Sequence, residues 1–193
     1  TEIYTLSLHD ALPILKEYQF PLVSNEERMR FVLKLTLQNI EKTTGGPFGA
    51  AVFERESGQL VSVGVNVVLN QGCSAAHAEM MAIMLAQQEL GTHDLGITEL
   101  PEFQLVTSGK MCAMCLGSVV WSGVREVLAS AQPEDVENIV GFDEGPAPAD
   151  YDQQLEKRGI SIIPSFLREE GCAVLQRRSE EHTSELQSQP EDG

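Results

Sequence analysis

Apolar residues first recur at helical spacing between residues 25 and 42. There Met29, Val32, Leu33, Leu37 and Ile40 would share one face, behind a Ser24-Asn25-Glu26-Glu27 capping box. Gly45-Gly46-Pro47-Phe48-Gly49 breaks that helix. Residues 50–54 read as a strand, Ser57-Gly58 as a turn, and the valine-rich residues 60–69 as the second strand of a hairpin. Ser74 is the expected N-cap of the next helix, with His77 at its third position, Met80, Met81, Ile83, Met84 and Leu85 toward the core, and a stop at Gly91. Residues 103–107 form a strand. Ser108-Gly109-Lys110-Met111 then turns into a helix begun by Cys112, whose apolar residues 116–121 read as buried and which stops at Gly123. A strand over 125–130, a short helix from Pro133, a helix over 149–158, a strand over 160–163 and a last helix from Pro164 to about Gln176 complete the pattern. Strands alternating with helices predict one α/β domain with a sheet covered on both faces.

Two short stretches carry the chemistry. His77-Ala78-Glu79 and Cys112-Ala113-Met114-Cys115 offer one imidazole, two thiols and a carboxylate, each at the start of an apolar helical run. Zn²⁺ favours tetrahedral nitrogen and sulfur ligation, and a catalytic zinc keeps its fourth position open for water. His77, Cys112 and Cys115 would fill three positions. Glu79 is not needed as a ligand and is placed to handle the protons of a water. H-x-E followed by C-x-x-C is the pattern of zinc deaminases acting on nucleobases. A C-x-x-C alone also fits a redox pair or half of a structural zinc site. A helix N-terminus presents free N–H groups and partial positive charge, which favours the thiolate form of Cys112. Cys73 reads as a small buried apolar residue and His93 as a solvated loop residue. For the glycine-rich 45–49 loop two readings stand, a plain connector or a loop beneath a flat ligand with Phe48 offering a ring. For Asn66 they are an exposed strand position or an amide reading both a donor and an acceptor on a base edge.

Composition narrows the partners. The 193 residues suit one domain, and four cysteines, two of them in C-x-x-C, suggest metal in a reducing compartment rather than disulfides. The chain shows no membrane-length apolar run and no secretory pattern. Both ends look foreign. Residues 5–14 and 178–188 resemble translations of paired sequencing adapters, so the expected deaminase domain is 15–177, flanked by artefactual segments 1–14 and 178–193. The formal charge is −16; the first segment holds Glu2 and Asp10 and the last holds five acids and Arg178, so residues 15–177 keep −10. A nucleic-acid binder would show a basic face. None is evident, and a small neutral substrate fits better.

The assembled motifs resemble the cytidine-deaminase-like superfamily and, within it, the bacterial guanine deaminases. The likeness covers most of residues 25–176. It rests on Gly45-Gly-Pro-Phe-Gly-Ala50, Ala76-His-Ala-Glu79, Cys112-Ala-Met-Cys-Leu-Gly117, Trp121 and Gly141-Phe-Asp-Glu-Gly-Pro146. It implies a three-layer α/β/α sandwich with a mixed five-stranded sheet, in a homodimer; the acidic charge and the lack of a membrane-length apolar run add the expectation of a cytoplasmic protein that binds neither nucleic acid nor membrane. It implies Zn²⁺ on His77, Cys112 and Cys115, with Glu79 as proton shuttle and Glu144 as a second carboxylate near the substrate. Asn66, Phe48 and Ala78 would contact a nucleobase, and the reaction would be guanine to xanthine and ammonia. Ammeline, cytosine, cytidine or tRNA-adenosine deamination, or an impaired zinc scaffold, are the other readings. Two departures stand out. Lys110-Met111 replaces the Glu-Pro that most members carry, reversing a charge beside the site and leaving the helix start less fixed; zinc binding should survive. The likeness also stops near Gln176, so a closing C-terminal segment is expected to be missing and turnover to suffer.

Overall fold

The computed structural model describes residues 14–43 and 45–188, with side chains described as far as residue 180. Residues 1–13 and 189–193 of the adapter-like ends lie outside the described residues. The elements run α1 (Asn25–Glu41), β1 (Gly49–Glu54), β2 (Leu60–Val65), α2 (Val68–Gln71), α3 (Ala78–Leu90), β3 (Phe103–Gly109), α4 (Ala113–Ser122), β4 (Glu126–Ala131), α5 (Pro133–Val140), α6 (Tyr151–Glu156), β5 (Ser161–Ile163) and α7 (Arg168–Ser188). The sheet has five strands in the order β2-β1-β3-β4-β5, with β1 antiparallel to β2 and β3, and β3, β4 and β5 parallel. It is the mixed five-stranded sheet expected.

Strand alternation makes the layers. Ala50, Val52, Phe103, Leu105, Val127 and Ala129 face α3 and α4, whereas Ala51, Phe53, Val106 and Leu128 face α1. Helix α7 packs beside α1 and against β4. Helix α1 starts at the expected box: Ser24 accepts from the Glu27 amide while Glu27 takes the Ser24 amide. Gly91, Gly123 and Gly141 end α3, α4 and α5 in the left-handed conformation, where a side chain would be strained.

Four expectations are corrected. The strand expected over 60–69 ends at Val65, where the Asn66 side-chain Oδ1 accepts from the Gly46 and Val68 amides and the chain turns into α2. Helix α3 starts at Ala78, not after Ser74. Residues 73–76 are held in a turn by Ala76 N–H to Cys73, leaving His77 as an extended N-cap. Trp121 is 83% exposed, because the outer face of α4 meets no other layer among the described residues. The last helix begins at Arg168, after Ser165 and Leu167 in left-handed backbone, and continues unbroken past Gln176. Ile14, at the edge of the adapter-like segment, is buried with the α1 core.

Helix α3 sits unusually close to β2. A Cβ on Gly64 would lie 2.2 Å from the Ala78 carbonyl oxygen and 2.5 Å from the Ala82 nitrogen. Ala78, Ala82 and Ala86 form the small-residue stripe facing the sheet, and Ser62 donates to the Ala82 carbonyl at 2.7 Å. Gly64→Ala should therefore overpack this seam and destabilise the protein by about 1–3 kcal/mol, read as a lower urea midpoint at unchanged slope. An unchanged midpoint would show that the seam can relax freely.

Candidate active site

The site lies where two helix N-termini meet the carboxyl ends of β3 and β4. His77 is the N-cap of α3 and Cys112 the N-cap of α4. Lys110 N–H donates to the Ala131 carbonyl at 2.7 Å, tying the end of β3 to that of β4 just before Cys112. Ligands of open α/β sheets bind outside such carboxyl ends.

His77 Nδ1 lies 3.6 Å from both Cys112 Sγ and Cys115 Sγ, and one donor atom from each residue lies within 4.8 Å of the others. Bonds of about 2.0–2.1 Å to nitrogen and 2.3 Å to sulfur, at tetrahedral angles, put nitrogen and sulfur about 3.5 Å apart. The triangle therefore matches one face of a zinc tetrahedron, and the donor set fits Zn²⁺. Glu79, in the first turn of α3, is 6% exposed; its Oε2 is 3.5 Å from Cys115 Sγ and its Oε1 is 3.3 Å from Thr107 Oγ1.

The electrostatics suit a divalent cation. Hydrogen bonds from Cys115 and then His77 outweigh burial and bring the Cys112 thiol down to about 4. The same sulfur contact, with burial, pushes the Cys115 thiol well up. The hydrogen bond with Cys112 raises the His77 imidazole, opposed by desolvation. Burial raises Glu79, and burial followed by the Cys112 charge raises Glu144 to about 7.

A cavity of about 330 Å³ opens beside this cluster. His77, Cys112, Glu79, Glu144, Asn66 and Phe48 all line it. Ala78 is fully buried beneath and is not among the lining residues. Asn66 is buried, not an exposed strand position, and its Oδ1 is occupied by the Gly46 and Val68 amides at 3.4 and 3.3 Å. Its acceptor is therefore committed to the backbone, leaving the Nδ2–H donors for a ligand. Asn39 holds the loop from below, donating to the Gly46 and Asn66 carbonyls at 2.8 and 3.2 Å. A Cβ on Gly45 would lie 1.8 Å from the Asn66 carbonyl oxygen, so only glycine permits this approach. The Glu144 carbonyl accepts from the Ala113 amide at 3.0 Å, pinning the 141–146 loop to the start of α4.

Sequence reasoning missed Thr107, Phe142 and Arg178. Thr107 sits in a wholly buried strand, where nothing in the pattern marks it. Phe142, whose ring lies 6.0 Å from Phe48, was legible as the aromatic of the glycine-bounded 141–146 loop. Arg178 of α7 lies on the cavity wall.

Fold, donor triangle and buried carboxyl together define a zinc-dependent aminohydrolase acting on a small molecule. A family model for the cytidine and deoxycytidylate deaminase zinc-binding region matches residues 23–131, and the chain belongs to that family. Guanine deaminase of Bacillus subtilis (strain 168) is 29% identical over 147 residues, covering 76% of this chain and 89% of the relative. The solved guanine deaminase from Nitrosomonas europaea is 48% identical with a TM-score of 0.81, over 83% of this chain and 87% of that one. A solved asparagine-to-alanine mutant in complex with 8-azaguanine is 49% identical with a TM-score of 0.80, over 82% and 87%.

Zinc takes both cysteines as thiolates, so protons leave as it binds. Zinc added to metal-free protein at pH 7 should release at least about one proton per ion, measured by calorimetry in buffers of different ionisation enthalpy, and affinity should weaken as pH falls. Binding without proton release would contradict this electrostatic picture.

Proposed function

We propose that the protein deaminates guanine to xanthine and ammonia, with His77, Cys112 and Cys115 holding Zn²⁺. The observation that carries this reading is the 3.6 Å donor triangle opening onto a cavity with two carboxyl groups and one oriented amide. Its support for guanine over other bases is the likeness, at 48% and 29% identity, to proteins described as guanine deaminases.

Zn²⁺ held by His77, Cys112 and Cys115 would lower the pKa of a water toward about 7 and make it nucleophilic at neutral pH. Glu79 takes the proton that water gives up and delivers it to a ring nitrogen as oxygen attacks the amine-bearing carbon. Its burial makes the carboxyl a ready proton carrier. Glu144, its carboxyl raised by burial at the cavity wall, donates to the departing amine. Asn66 presents its Nδ2–H donors to an acceptor on the purine edge, and the Phe48 and Phe142 rings bound the base. One water is consumed and one ammonia leaves.

We also infer a homodimer, supported by Met114 and Trp121 exposed on one face of α4, and a cytoplasmic setting, supported by free thiols placed for metal. No helix among the described residues is long and apolar enough to cross a membrane. The 15–177 span is inferred to be the deaminase domain, and Arg178 of α7 lines the cavity.

Ammonia release from guanine by zinc-loaded protein, with cytosine, cytidine, adenosine and ammeline alongside, tests the reading. Guanine should be the best substrate. Glu79→Gln should keep one zinc per chain and lose about 10²–10⁴-fold or more in turnover. Faster release from a pyrimidine would overturn the guanine assignment, and undiminished turnover in the variant would remove Glu79 from its role.

A further inference from the structure

Position 110 carries a contact that the deamination chemistry does not use. Lys110 Nζ lies 2.7 Å from Asp152 Oδ1, and its side chain is only 12% exposed. The contact is an ion pair and not an aligned hydrogen bond. The same ammonium sits 4.5 Å from the centroid of the Tyr151 ring. Tyr151 is 6% exposed and belongs to the core cluster that holds Met111, Cys115, Leu116 and Val119, against which Cys112 also packs. One side chain therefore joins the segment leading into α4 to the first turn of α6.

That segment needs fixing. Met111 fills the core but, unlike proline, leaves its φ free at the start of a helix. Cys112 and Cys115 follow directly, and a small swing of the helix start would open the 3.6 Å triangle with His77. A half-buried charge pair is screened less than an exposed one, and an aromatic face adds attraction for a partly desolvated ammonium. A glutamate at 110 would instead set a carboxylate against Asp152.

We propose that the Lys110–Asp152 pair, seated on Tyr151, is the latch that fixes the start of α4 and holds Cys112 and Cys115 in position for the metal. This rests on the reading of His77, Cys112 and Cys115 as the zinc donors. Lys110 is a positioning residue, acting through the two cysteines.

The test is the rate of zinc transfer from the purified zinc-loaded chain to excess chromophoric chelator, alongside thermal unfolding of the zinc-free chain. K110M and D152N should each release zinc about tenfold or more faster, with little change in zinc-free unfolding. The charge swap K110E/D152K restores the ion pair without the ring contact and should release zinc more slowly than K110E alone, and M111P added to K110M should slow release again. Original release rates in K110M and D152N, with one zinc per chain, would overturn the latch and leave the ligand assignment standing. A swap that releases zinc as fast as K110E alone would also overturn it. A starting protein that takes up no zinc would remove the ligand assignment and the latch together. If K110M does not fold, the near-isosteric D152N carries the same comparison.

Discussion

At Gly64 a helix backbone approaches a strand more closely than any side chain would allow, with a would-be Cβ 2.2 Å from the Ala78 carbonyl oxygen. That contact, continued by Ala78, Ala82 and Ala86 and clamped by Ser62, sets the height of α3 over the sheet. His77 and Glu79 stand at the N-terminal end of this helix, so their position is inherited from the seam. Helix α4 is fixed separately, at the tied ends of β3 and β4. The donor triangle exists because two independently seated N-termini come within a few ångströms, both presenting partial positive charge to the sulfurs.

That arrangement stores a charge problem which a divalent cation resolves. The contacts favour the thiolate of Cys112 and disfavour that of Cys115, and Glu79 and Glu144 are both raised by burial. A cation with two or more charges relieves all four at once, whereas leaving them unpaired costs desolvation. Lys110 does not relieve the site, because Asp152 already answers its charge. The charge reversal that stands out in the sequence is thus neutralised locally, and its effect is mechanical.

Much of this was legible in the residues, and the unreadable parts share a cause. The capping box of α1, the glycine stops and the alternating strands are local signals and appear where the pattern put them. The mixed five-stranded sheet followed from the resemblance. His77 and Cys112 announced themselves by residue type and spacing, but their 35-residue separation closes only through the sheet. Asn66 could be noticed but not interpreted, since the loss of its acceptor to Gly46 and Val68 depends on a loop 20 residues away. Trp121 misled because an apolar helix run says nothing about which layer covers it. Thr107 was silent: in a strand buried along its whole length, a hydroxyl beside a carboxyl looks like any other core position.

The central claim is a zinc shell of one nitrogen and two sulfurs with a position left open. X-ray absorption at the zinc edge of the purified protein tests it directly. The account predicts one nitrogen at about 2.0–2.1 Å, two sulfurs at about 2.3 Å and one further light scatterer. A closed shell of four protein donors, or a chain that retains no zinc while His77, Cys112 and Cys115 are intact, would contradict it.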